Sequence, residues 1–162
     1  MNPRYWIALL GALTFTGAAQ AGLADSAKKL FGGDKEQEQE QPAEDATPAP
    51  DDAAVYFIEP ADGAELSSPI TVKFGLRQMG VAPAGTQRDN TGHHHLLIDD
   101  PEVDYSKPLP ATDQVVHFGG GQTEATVDLK PGEHTLQLLL GDFKHQPHNP
   151  PVKSDTITIT VK

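Results

Sequence analysis

Hydrophobic and polar residues alternate in short runs over the last two thirds of the chain. Ile70, Val72 and Phe74 alternate with smaller or polar residues, and the Ile and Val residues of 156–161 alternate with threonines. A period of two is typical of strands with one buried face. Seven runs are predicted as strands: 55–58, 70–76, 93–99, 114–118, 123–129, 133–140 and 156–161.

The segments between these runs carry the residues typical of turns. Lys130-Pro131-Gly132 is one example, and residues 79–92 are rich in Gly, Pro and Asn. No long helical period interrupts the pattern. The sequence therefore predicts an all-β domain over residues 55–162, an Ig-like antiparallel β-sandwich of about seven strands, with a small barrel as the alternative.

The first 54 residues have a different character. Arg4, the apolar stretch 6–15 and Ala19-Gln20-Ala21 are typical of a signal peptide over residues 1–21. Residues 22–54 are acidic and rich in Pro, Gln and Glu, which predicts a disordered linker. We therefore expect a periplasmic or secreted protein with no stable membrane insertion once the signal peptide is removed.

Composition excludes several functions. The formal net charge of −11 argues against binding to nucleic acid, because phosphate backbones require a surplus of Lys and Arg. The absence of cysteine excludes disulfides, thiolate nucleophiles and Cys-ligated metals. A bound metal ion would therefore rest on His, Asp, Glu or backbone oxygen atoms.

The chemistry is concentrated in the histidines, all seven of which lie between positions 93 and 148. His93, His94 and His95 follow one another in a predicted strand. Side chains alternate along a strand, so His93 and His95 share a face and His94 lies on the other. Two imidazoles at this spacing can converge on one ion.

A second pair, His145 and His148, lies in a Pro-rich loop that is predicted to be rigid. His117 precedes three consecutive glycines, which indicate a close backbone approach or a bulge. His134 has the parity of the leucines of its strand and is expected to be a satisfied histidine at the edge of the core. Asp142, at the end of the sixth predicted strand, is the carboxylate expected to act near the second pair.

These residues predict a site for a divalent transition metal, copper or zinc, because imidazole suits both ions. The expected ligands are His93 and His95 with His145 and His148, and His117 replaces one of them if the geometry requires it. Asp142 is a further candidate ligand. The 8 basic and 14 acidic residues after position 54 would attract cations.

Two other functions compete with metal binding. The histidine-rich edge could instead recognise an envelope protein or a glycan, with the histidines structural or pH-responsive. Hydrolysis by a metal-bound water is the third hypothesis. A binding module is favoured over an enzyme, because no nucleophile motif is present.

Several motifs resemble the bacterial exported family called domain of unknown function (DUF) 4399. They are MGVAPAG at 79–85, GHHHLLID at 92–99, HFGGGQT at 117–123, GEHTLQL at 132–138 and HQPH at 145–148. The resemblance implies a small secreted β domain and no established activity. More weakly, residues 59–69 are similar to the opening of periplasmic copper-resistance domains of the CopC type, which supports the sandwich fold and, slightly, copper.

Overall fold

The computed structural model describes residues 46–162. The predicted signal peptide and all but the last residues of the predicted linker lie outside this range. Within it, no helix has the length and hydropathy needed to cross a membrane.

Nine strands make up the described part of the chain. They are β1 (Ala54–Glu59), β2 (Glu65–Leu66), β3 (Ile70–Arg77), β4 (Gly80–Val81), β5 (Thr91–Ile98), β6 (Val115–His117), β7 (Glu124–Val127), β8 (Gly132–Gly141) and β9 (Ile157–Val161). All seven predicted strands are present, and β2 and β4 are additional. The prediction of an all-β fold is confirmed.

The strands form two sheets. The smaller sheet has the order β1-β3-β7, and the larger has the order β2-β9-β8-β5-β4 with β6 also paired to β5. The seven predicted strands pair antiparallel, whereas the two short strands pair in parallel, β2 with β9 and β4 with β5. The domain is thus a sandwich of two sheets rather than a closed barrel.

The main core lies between the two sheets. Val72 and Phe74 of β3 pack with Leu138 of β8 and Ile159 of β9, all at most 1% exposed. Each such side chain contributes about 1.5–3 kcal/mol when it leaves water. The alternation seen in the sequence therefore marks the inner faces of the sheets.

A second, smaller cluster covers part of the outer face of the larger sheet. Leu97 of β5, Val115 of β6 and Leu139 of β8 pack there with Leu109 from the loop between β5 and β6. Both faces of β5 are consequently buried, and every residue from Gly92 to Ile98 is buried. This buried outer face also carries His93 and His95.

The chain just before β1 belongs to the domain. The Ala49 amide donates to the carbonyl of Asn149 at 3.1 Å, and the Asn149 amide donates to the carbonyl of Thr47 at 3.0 Å. Pro48 forms an isolated parallel bridge with Asn149. Domain contacts therefore begin before the predicted boundary at residue 55, because backbone pairing holds a segment whose composition is typical of a linker.

Candidate metal centre

The three consecutive histidines divide between the two faces of β5. The His94 ring faces the core, where its centroid lies 4.8 Å from that of Phe74. His93 and His95 lie on the outer face, with centroids 4.8 Å apart. This division is the one that the alternation of side chains predicts.

Strand pairing brings a third imidazole to this face. In the antiparallel register of β5 and β6, His95 lies directly opposite His117. The His117 ring centroid is 5.1 Å from that of His95 and 5.0 Å from that of His93. The three rings thus form a compact triangle on two hydrogen-bonded strands.

The nitrogen atoms of this triangle are suited to a metal. One ring nitrogen from each of His93, His95 and His117 can be chosen so that all three lie within 4.8 Å of one another. Both nitrogens of His93 and His95 and Nε2 of His117 are buried and make no hydrogen bond of good geometry within residues 46–162. An unpaired buried polar atom is costly, so these rings point to a ligand that pairs with one nitrogen of each.

Two glycines make room for the rings. A Cβ at Gly141 of β8 would lie 2.7 Å from Cε1 of His95, and a Cβ at Gly119 would overlap Cε1 and Nε2 of His117. Gly119 belongs to the run of three glycines, where a close backbone approach was expected. The absence of side chains at these positions therefore leaves space for the His95 and His117 rings.

His145 lies beside the triangle. Its ring centroid is 4.7 Å from that of His117, 5.0 Å from that of His93 and 6.2 Å from that of His95. Its backbone has a φ of 68°, in the left-handed region. The structure thus brings four of the seven histidines together.

His148 and Asp142, two of the expected ligands, lie outside the triangle. The His148 ring is buried near Gly92 and contacts backbone carbonyl groups through Nδ1 to Leu140 at 3.4 Å and Nε2 to Thr91 at 3.3 Å. The Asp142 carboxylate is buried and accepts hydrogen bonds from residues 47, 144 and 146. Both residues are therefore engaged by other groups of the described chain, and neither belongs to the group of nitrogens within 4.8 Å.

His134 occupies the satisfied edge position that its pattern predicts. Its Nδ1 lies 3.0 Å from the carboxylate of Asp99, and its Nε2 lies 2.8 Å from the carbonyl of Lys130. The Lys130 carbonyl, with a contribution from Asp99, raises the pKa of His134, although burial opposes the shift. His134 is therefore not a candidate ligand, because both of its ring nitrogens already have partners.

The triangle favours neutral imidazoles. Burial lowers the pKa of His93 to about 4, with further lowering by His117 and His145, while Asp142 opposes the shift. Burial lowers the pKa of His95 to about 3, with further lowering by His93, His117 and His145. Burial, then His145, also lowers the pKa of His117. The neutral form is the one that binds a metal, so protons compete weakly at neutral pH.

His117 and the two glycines show what sequence reasoning did not resolve. The spacing of His93 and His95 identified one pair, but the strand register that places His117 opposite His95 is a property of the folded sheet. The three glycines after His117 were the available signal. No feature of the sequence indicated the role of Thr47, whose hydroxyl donates a hydrogen bond to Asp142, because Thr47 lies in a segment with linker composition.

The chain matches a family of known proteins. A family model described as "Domain of unknown function (DUF4399)" matches residues 72–162, a range that contains all seven histidines and the whole triangle. No curated protein and no solved structure matches the chain significantly.

Proposed function

Since the chain belongs to the DUF4399 family, whose description assigns no activity, we propose from the site itself that it is an exported protein that binds a divalent transition metal, copper or zinc. The ligands are His93, His95 and His117. Two facts about the same three rings carry this proposal: one nitrogen of each ring lies within 4.8 Å of the other two, and every ring has a buried nitrogen without a hydrogen-bond partner in the described chain.

The chemistry of the donors supports copper and zinc. Three imidazoles form a set of borderline ligands with no carboxylate among them, which suits these ions better than Mg²⁺ or Ca²⁺. Zinc accepts three histidines and a fourth ligand in a tetrahedral arrangement. The acidic surface of the protein would raise the local concentration of cations.

The lowered pKa values support binding at neutral pH. A metal ion that meets protonated imidazoles must first displace their protons, and this cost is small for His93 and His95 at pH 7. Burial also removes the competition of water for the imidazole nitrogens. Export is supported by the signal-peptide pattern of residues 1–21.

Isothermal titration of the tag-free, chelator-stripped protein with Zn²⁺ and Cu²⁺ tests the proposal. We expect one ion per chain with micromolar or tighter affinity for at least one of the two metals. A flat titration with both metals would overturn the proposal.

Two variants locate the site. His95→Leu and His117→Leu each remove one ligand with a side chain of similar volume, and each is expected to weaken binding at least tenfold. His134→Gln, which changes a histidine outside the triangle, serves as the matched control and is expected to bind like the wild type. Equal loss in all three variants would contradict the assignment.

A further inference from the structure

The loop that carries His145 is built around one buried carboxylate. Asp142 is 2% exposed, and its Oδ1 accepts hydrogen bonds from the amides of Lys144 at 2.7 Å and Gln146 at 2.9 Å. Its backbone carbonyl accepts from the His145 amide at 2.9 Å. The residues on both sides of His145 are therefore fixed by Asp142.

This turn holds His145 in a conformation that histidine rarely adopts. A φ of 68° lies in the left-handed region, which is unfavourable for a residue other than glycine. The His145 carbonyl accepts from the amide of Leu109 at 2.8 Å, which ties the residue to the loop over the outer face. The local structure thus pays this cost to direct the ring toward the triangle.

The carboxylate of Asp142 is itself held from a distant part of the chain. The hydroxyl of Thr47 donates to its Oδ2 at 2.6 Å, across 95 residues of sequence. The backbone pairing of residues 47–49 with Asn149 fixes Thr47 against the same loop. Hydrogen bonds to an ionised acceptor are short and strong, so this contact is a firm one.

We propose that His145 is a fourth metal ligand and that Thr47, acting through Asp142, is its positioning residue. This inference rests on the proposed function and deepens it. Three ligands belong to paired strands, whereas the fourth belongs to a loop whose geometry depends on the segment that precedes β1. The segment of residues 47–49, just before β1, therefore controls how tightly the ion is held.

The consequence is an ion that can be released without disrupting the sheet. Withdrawal of Thr47 frees one side of the Asp142 carboxylate and loosens the turn that holds His145. The three nitrogens of His93, His95 and His117 remain in place, because the pairing of β5 with β6 does not depend on Thr47.

Cobalt substitution tests the fourth ligand. In Co²⁺-loaded protein the visible absorption bands report the number and type of ligands. His145→Asn keeps a residue that tolerates positive φ and removes the imidazole. We expect at least tenfold weaker Co²⁺ binding and a changed visible spectrum, while a spectrum identical to that of the wild type would overturn the role of His145.

Thr47→Val and Thr47→Ser test the positioning. Valine removes the hydroxyl at nearly constant shape, and serine retains it. We expect Thr47→Val to bind Co²⁺ three- to tenfold more weakly, with faster dissociation and a spectrum shifted toward that of His145→Asn, and Thr47→Ser to behave like the wild type. Equal affinity, dissociation and spectrum in the wild type and Thr47→Val would overturn the proposal.

Amide hydrogen exchange without metal separates this inference from the proposed function. The amides of Lys144 and Gln146 should exchange faster in Thr47→Val than in the wild type, because their acceptor is less well held. Unchanged exchange overturns the coupling between Thr47 and the loop. A wild type that binds no metal overturns the proposed function and the ligand role of His145, while the exchange result still decides the coupling.

Discussion

His94 is the histidine of β5 that does not belong to the triangle, and its burial is costly. Its ring is fully buried against Phe74, and neither nitrogen makes a hydrogen bond of good geometry within residues 46–162. Burial lowers its pKa to about 4, although the backbone of Gln122 opposes the shift. The native state therefore keeps a neutral imidazole in an apolar layer at the expense of stability.

Replacement of His94 by leucine should stabilise the metal-free protein. A side chain of similar volume without polar atoms removes the desolvation cost, so we expect a gain of about 1–2 kcal/mol at pH 7 in urea unfolding. The gain should increase between pH 7 and pH 5, because the unfolded wild type takes up a proton at His94 that the variant cannot bind. Zn²⁺ affinity should stay the same, since His94 faces away from the triangle. A destabilised variant would show that the imidazole makes a contact worth more than its burial costs.

At the scale of elements, the site depends on how β5 meets its neighbours. The pairing of His95 with His117 brings two proposed ligands together, and a glycine of β8, Gly141, lies where a side chain would occupy the space of the His95 ring. In the loop after β6, Gly119 leaves space for the His117 ring in the same way. The three atoms nearest to a Cβ at Gly120, by contrast, would belong to the amide group of the exposed Gln122 side chain, the nearest of them at 3.1 Å.

Neighbouring glycines therefore give a matched pair of variants. Gly119→Ala should displace the His117 ring and weaken Zn²⁺ binding tenfold or more, as measured by competition with a chromogenic chelator. Gly120→Ala should bind Zn²⁺ like the wild type, because the Gln122 side chain can move. Neither glycine has a positive φ, so backbone strain does not separate the two variants. Equal affinity in both would mean that the His117 ring has room to adjust.

The sequence shows the alternation of hydrophobic and polar residues, but it does not show which strands pair. The alternation in β3 and β9 predicted strands and their inner faces, and the parity of His93 and His95 predicted a shared face. The short strands β2 and β4 span two residues each, too few to show a period, and their parallel pairing was not predicted. Which loop histidine approaches the triangle depends on the Asp142 turn, and this distinguishes His145 from His148 only in the folded chain.

For the whole molecule, the buried histidines make stability depend on pH. Burial lowers the pKa of His93 and His94 to about 4 and that of His95 to about 3. Between these values and the ordinary value of 6.5 the unfolded chain binds more protons than the native protein, so stability decreases as pH falls. Each such histidine contributes on the order of 1 kcal/mol per pH unit within that range. His134, whose pKa is raised, acts oppositely and favours the folded state at low pH.

We therefore expect the chelator-stripped protein to unfold in acid between pH 6.5 and 4. Circular dichroism at a series of pH values measures this transition. Zn²⁺ at about 100 times its dissociation constant should add about 2.7 kcal/mol to the free energy of unfolding at pH 7 and move the acid midpoint to lower pH. This gain should shrink as the pH falls, because protons and Zn²⁺ compete for the same nitrogens.

His95→Leu should lose most of the Zn²⁺ effect and part of the acid sensitivity together, whereas His94→Leu should lose only acid sensitivity. If Zn²⁺ stabilised both variants equally, the ion would be bound elsewhere, since His95 belongs to the triangle and His94 does not.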